Sequence, residues 1–172
     1  MTFIAPDVER QFPPLQGGER AMLEGFLDWH RDTLLHKCSG LSGGQLKHAS
    51  AEPSNLTLLG LVRHLTDVEH GWFCGRFAGE RDHPRYNSQD NSDADFEEAG
   101  DADPEEAFKR YRVAVEAARA SVAECDLDAT FTHPSGKTAS LRWLYLHMIE
   151  EYARHNGHAD LLRERVDGTT GG

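Results

Sequence analysis

The positions Leu141, Leu144, Met148, Glu151, His155, Ala159 and Leu162 recur every three or four residues, the period of one face of an α-helix. A helix of that length with one continuous stripe has to lie against other helices. Two of its inward positions are nevertheless a carboxylate and an imidazole. An isolated ionised glutamate in an apolar interior costs on the order of several kcal/mol unless a cation or hydrogen bonds offset it. At i and i+4 the Glu151 and His155 side chains are about 6 Å apart along the axis and point the same way, so both can reach one cation. A hydrogen-bonded Glu151–His155 pair without a metal fits the same spacing.

Three further stretches carry helical periodicity. In "ERAMLEGFLDWHRDTLLHK" the residues Leu23, Phe26, Leu27, His30 and Leu34 share a side, which predicts a first helix from residue 19. A second is expected from about Leu58 to about Ala78, with Leu58, Leu61, Val62, Leu65, Val68 and Trp72 inward. The third opens on Asp103 as N-cap, with Pro104 at the first helical position and Glu106 three residues after the cap, a close variant of the capping box. Ser140 is the cap expected for the fourth helix, through Leu162. Before it, Pro134-Ser135-Gly136-Lys137 lies between β-branched and aromatic residues and predicts a short hairpin or two extended segments. The fold class expected is all-α, a four-helix bundle with a long connection between helices 2 and 3. It divides into an extended, Pro/Gly-rich arm (1–18), the bundle (19–166) and a flexible tail (167–172).

Of the net charge of −11, residues 80–106 hold 11 acidic and 2 basic side chains, which is −9. The rest of the chain is nearly neutral, with no basic stripe interleaved with aromatics, so nucleic acid is not an expected partner. The acidic run reads as a solvated connection; closure over a pocket is the other reading. No stretch of about 18 apolar residues occurs, so no membrane span is expected. Cys38, Cys74 and Cys125 are odd in number and widely spaced, which favours packing roles and a reducing cytoplasm over disulfides or Cys-x-x-Cys zinc sites.

His64 lies beside Leu61, Leu65 and Val68 on helix 2. It supplies a third ligand from a facing helix, or on its own a satisfied core histidine. His64, Glu151 and His155 together form a two-histidine, one-carboxylate set with a position left for water or substrate, the pattern of catalytic rather than structural zinc. Zinc comes first; nickel, iron and manganese suit the same donors. His147 could replace His155 in a His-x-x-x-Glu pair, although it projects towards the flank. His30 reads as a half-buried histidine, and His158 and Asp160 as neighbours or surface. His36, His48, His70, His83 and His133 show no coherent spacing. No zincin, duplicated Glu-x-x-His, Gly-x-Ser-x-Gly or phosphate-loop motif is present.

Together, "LVRHLTDVEHGWF" and "SLRWLYLHMIEEYARHNGHADLLRE" resemble the DinB-like superfamily of metal-binding four-helix bundles. The likeness covers about residues 19–166 and is greatest to its mycothiol-dependent S-transferases and maleylpyruvate isomerase. The resemblance places the superfamily's ligands on His64, Glu151 and His155, the last two ahead of Asn156-Gly157-His158. Glu151 stands where many relatives have histidine. The resemblance further implies a divalent metal, a low-molecular-weight thiol such as mycothiol as co-substrate, an electrophilic second substrate and a homodimer. The expected function is metal-dependent thiol transfer or detoxification, and the alternative a non-enzymatic, stress-associated metal-binding bundle. The isomerase carries sequence beyond the bundle that this chain lacks, so its reaction is not expected here.

Overall fold

A computed structural model describes residues 3–81, 84–88 and 90–171; His83 lies outside the described residues. In order, the elements are α1 (Glu19–Cys38), α2 (Gly43–Leu46), α3 (Leu58–Glu69) continuing as a π-helical segment (His70–Phe77), α4 (Ala94–Glu97), α5 (Pro104–Val122), the hairpin β1 (Thr130–Thr132) and β2 (Thr138–Ser140), and α6 (Leu141–Asp167). The protein is thus mostly helical with one two-stranded antiparallel sheet. No helix among the described residues is long and apolar enough to cross a membrane.

Local chemistry sets most boundaries. The side chains of Thr57, Asp103 and Ser140 accept the backbone N–H of Gly60 (2.9 Å), Glu105 (3.0 Å) and Trp143 (3.2 Å), and such caps are worth about 1 kcal/mol each. Glu106 does not close the expected capping box; its carboxylate takes Arg110 Nε at 2.8 Å. The second long helix reaches Phe77, but its last eight residues are π-helical rather than α-helical. α6 continues past Leu162 to Asp167, where Gly168 adopts φ 81° and its N–H returns to Glu164, the left-handed termination that glycine allows. Of the non-helical residues before α1, Ala5 is buried and exchanges backbone hydrogen bonds with Leu41 and Gly40, both 2.9 Å.

α1 lies along α6, while α3 packs on α5, α6 and α1; the π segment packs on α5 and β1. Leucines from α1, α3 and α6, with Phe73, Phe108, Tyr111, Met148 and Tyr152, form one core. The buried stripe of α1 differs from the expected one. Phe26 is 43% exposed, and the stripe runs through Leu27, Arg31, Leu34 and Cys38.

An arginine in that stripe is explained by what it meets. Glu69, at the end of α3, is fully buried and receives Arg31 Nε and Nη2, each at 2.7 Å. Tyr152 Oη of α6 donates to the same carboxylate at 2.7 Å, and Tyr111 Oη of α5 lies 2.8 Å from Tyr152 Oη. Burial opposes the charge on Arg31, but Glu69 outweighs it and holds the guanidinium charged. Burial first, and then Glu69, pushes the Tyr152 phenol well above its usual range, so it acts as a donor.

Arg31→Met strands a charged Glu69 in the interior and is expected to cost about 3–5 kcal/mol, whereas Arg31→Met with Glu69→Leu recovers most of that loss. Urea denaturation measures both. A single-variant loss below about 1 kcal/mol would contradict the role given to this pair.

Candidate metal centre

α3 and α6 bring His64, Glu151 and His155 together. One donor atom from each lies within 4.8 Å of the other two, and all three side chains are half-buried. The imidazole rings of His64 and His155 have centroids 4.6 Å apart at 58°. Two neutral imidazoles and one carboxylate suit a borderline divalent ion such as zinc, nickel, iron(II) or manganese, and the donor types alone do not choose among these.

Glu151 is not the buried carboxylate its stripe suggested. Adjacent helical residues differ by about 100° around the axis, and on α6 the neighbouring Tyr152, fully buried, takes the centre of the inward face. Glu151 is thereby turned to the flank, where solvent reduces the cost of its charge. Among the described residues the buried glutamate is Glu69, and Arg31 accounts for it.

Around His64 the structure adds a residue that sequence reading passed over. Asp95 is 1% exposed, and its Oδ2 lies 2.8 Å from His64 Nδ1. A carboxylate can only accept, so Nδ1 carries a proton and Nε2 is left as the nitrogen that can face a cation; a carboxylate of this kind is the usual outer partner of a metal-binding histidine. Phe96 stacks on the other side of the ring at 5.2 Å.

Both residues come from α4, inside the acidic connection, which is therefore not simply solvated. Two side chains of α3 fasten it. Buried Arg63 donates to the carbonyls of Asp95 (2.8 Å) and Ala94 (2.9 Å), and Asp67 accepts the N–H groups of Arg85, Tyr86 and Asn87 at 2.7–3.1 Å. Gly60 completes the fit, since a Cβ there would lie 2.8 Å from Phe96 Cδ1.

Burial, followed by the neighbouring His64, His158 and Arg154, depresses His155 to a pKa of about 4. The ring is neutral at pH 7, the form that binds metal. His158 Nδ1 lies 3.4 Å from His155 Nδ1. Asp160 instead pairs with Lys37 at 2.7 Å. It is His155 rather than His147 whose donor atom groups with those of His64 and Glu151; His147 stacks on Trp143 at 5.0 Å and 8° and meets the Trp72 ring at 4.4 Å, an aromatic wall one turn before Glu151. His30 is held by Asn156 Nδ2, which donates to its carbonyl at 3.0 Å. Burial pushes the Cys38 thiol to about 12 and raises that of Cys74, so neither is a thiolate nucleophile at neutral pH.

Neither a curated protein nor a solved structure matches this chain. Residues 22–168 of the 172 match the family described as Mycothiol-S-transferase, a DinB-like family, and the match includes α3, α4 and α6 with every residue of the centre just described. The chain therefore belongs to the Mycothiol-S-transferase family.

Proposed function

We propose that this protein is a divalent-metal-dependent enzyme that transfers a low-molecular-weight thiol of the mycothiol type to an electrophile. The observation that carries this reading is the convergence of His64, Glu151 and His155 from two helices, with donor atoms within 4.8 Å of one another. In this reading, α1, α3 with its π continuation, α5 and α6 are the four helices of a DinB-like bundle spanning residues 19–166. The protein acts in a reducing cytoplasm as a homodimer.

A divalent ion held by these three residues favours the thiolate over the thiol of a small-molecule ligand at neutral pH, which supplies a nucleophile without a protein cysteine. The protein's own residues do the rest. Asp95 holds the proton of His64 on Nδ1 and aims Nε2 inward. Burial keeps His155 unprotonated. Three protein donors leave room for a substrate atom, and the His147–Trp143–Trp72 cluster, one turn before Glu151, offers flat apolar surface to the electrophile.

Protein purified without a histidine tag and loaded with zinc or nickel is expected to lose one metal equivalent per chain on His155→Ala while keeping its helical circular dichroism. Loss of less than about 0.1 equivalent would remove this ligand set. Asp95→Asn, which no longer offers a carboxylate to His64, is expected to weaken metal affinity by about 10–100-fold in a chelator competition. Conjugation assays with mycothiol, bacillithiol and glutathione against a panel of electrophiles should give a rate that chelation abolishes. No metal-dependent rate with any thiol would refute the transferase assignment.

Burial lowers the pKa of His30 and of His147, as it does that of His155. Unfolded imidazoles take up protons near pH 6.5, so below that pH the unfolded state binds more protons than the folded one. The stability of the metal-free protein is expected to be fully present above about pH 6.5 and to fall as pH drops towards about 4. Urea midpoints at neutral and mildly acidic pH test this, and His155→Asn should flatten the dependence. A midpoint that rises on acidification would reverse the assignment.

A further inference from the structure

In the sequence His70 showed no coherent spacing and Cys74 read as a packing residue, yet the π segment and the turn after it bring them to a common point with Glu80. His70 and Cys74 stand four apart within the π segment His70–Phe77, and both are buried. The segment ends at Phe77, and two residues later Gly79, with a φ of 74°, turns the chain back. The Glu80 N–H then donates to the Cys74 carbonyl at 3.0 Å, which fixes the Glu80 backbone over the residue that carries the thiol. One donor atom each from His70, Cys74 and Glu80 lies within 4.8 Å of the other two.

From this arrangement we infer that His70, Cys74 and Glu80 form a second cation site, distinct in chemistry from the first because it contains sulfur. The ion is a borderline-soft divalent cation of the zinc class. A thiolate with an imidazole and a carboxylate is a recognised zinc donor set, and sulfur disfavours magnesium and calcium. His70 Nε2 and Glu80 Oε2 are 3.9 Å apart, too far for a hydrogen bond but near the roughly 3.4 Å that separates two donors of one tetrahedral ion with bonds of about 2.1 Å. Glu80 is largely exposed, so the site opens to solvent on the carboxylate side while the thiol and imidazole are sheltered. Cation entry displaces the thiol proton to solvent and needs no redox partner.

Cobalt(II), a spectroscopic stand-in for zinc, separates the two sites because the first has only nitrogen and oxygen donors. Titrating the full-length chain with cobalt is expected to produce a near-ultraviolet sulfur-to-cobalt charge-transfer band. The band should persist in His155→Ala, which lacks the first site, and disappear in Cys74→Ser. Glu80→Gln, at an exposed position, should keep the fold and weaken cobalt binding at this site more than about tenfold, since even partners outside the coordination shell are worth about 10–100-fold. No charge-transfer band in wild type or His155→Ala at saturating cobalt overturns the site. So does a band that survives in Cys74→Ser, which would assign the sulfur to Cys38 or Cys125. Should Cys74→Ser fail to fold, Glu80→Gln decides: unchanged affinity for the band-forming cobalt overturns the inference. Failure of the first site leaves these readings intact, and their failure leaves the first site intact.

Discussion

The Arg31–Glu69 pair orients every helix that matters here. It joins α1 to the end of α3, and through Tyr152 and Tyr111 it reaches α6 and α5. Four helices meeting at one charged group cannot rotate independently, because any rotation that withdraws a donor leaves an anion in the core. An apolar contact could slide and repack at small cost; this one has a single satisfactory geometry. Glu69 lies five residues after His64 on α3, and Tyr152 follows Glu151 on α6. The network that locks these two helices therefore also sets the angles at which the candidate ligands face one another.

The same constraint explains the graded burial of the centre. With Tyr152 at the middle of the inward face, His155 falls near its edge and Glu151 on its flank, half-buried. That position suits a ligand better than the deep interior does. A carboxylate that keeps some solvent stays charged without a permanent cation, and an exchangeable coordination position needs a path to water. The protein thus separates two tasks: Glu69 fixes the scaffold in the core, and Glu151 is left reachable.

The four long helices and most of their starts were legible in the sequence because they rest on local chemistry: Thr57, Asp103 and Ser140 cap where short polar side chains precede apolar periodicity. The Glu151–His155 spacing was legible for the same reason. Arg31 and Glu69 were not, since each alone looks like a charged residue on a helix surface, and their meaning lies in a contact across 38 positions. Asp95 was hidden by its surroundings. Among 11 acidic residues between 80 and 106, nothing distinguishes the one that turns inward. A usable signal lay in its environment: Phe96 is the only large apolar residue between Phe77 and Phe108 other than Tyr86, and an apolar residue in a polar run marks where the run touches the core. The π-helical turn left no mark in the apolar pattern, because i and i+4 stay on one face in either helix type.

The position of Asp95 has a consequence for how the centre and the acidic connection depend on each other. α4 is one turn long and unstable alone, since a single turn cannot offset its nucleation cost. It is held by Arg63, by the Phe96 contact over Gly60, and by the hydrogen bond that His64 Nδ1 donates to Asp95. All of these anchors are on α3, in the turns that carry His64. A cation on His64 would draw electron density from the ring and strengthen the Nδ1–H donor, so occupancy of the proposed centre would tighten the hold on α4. By reciprocity, whatever orders α4 would raise the affinity of His64 for a cation by the same factor. The acidic segment is in this way joined to the candidate centre: its charge keeps most of it in water, and the inward Asp95 ties it to His64.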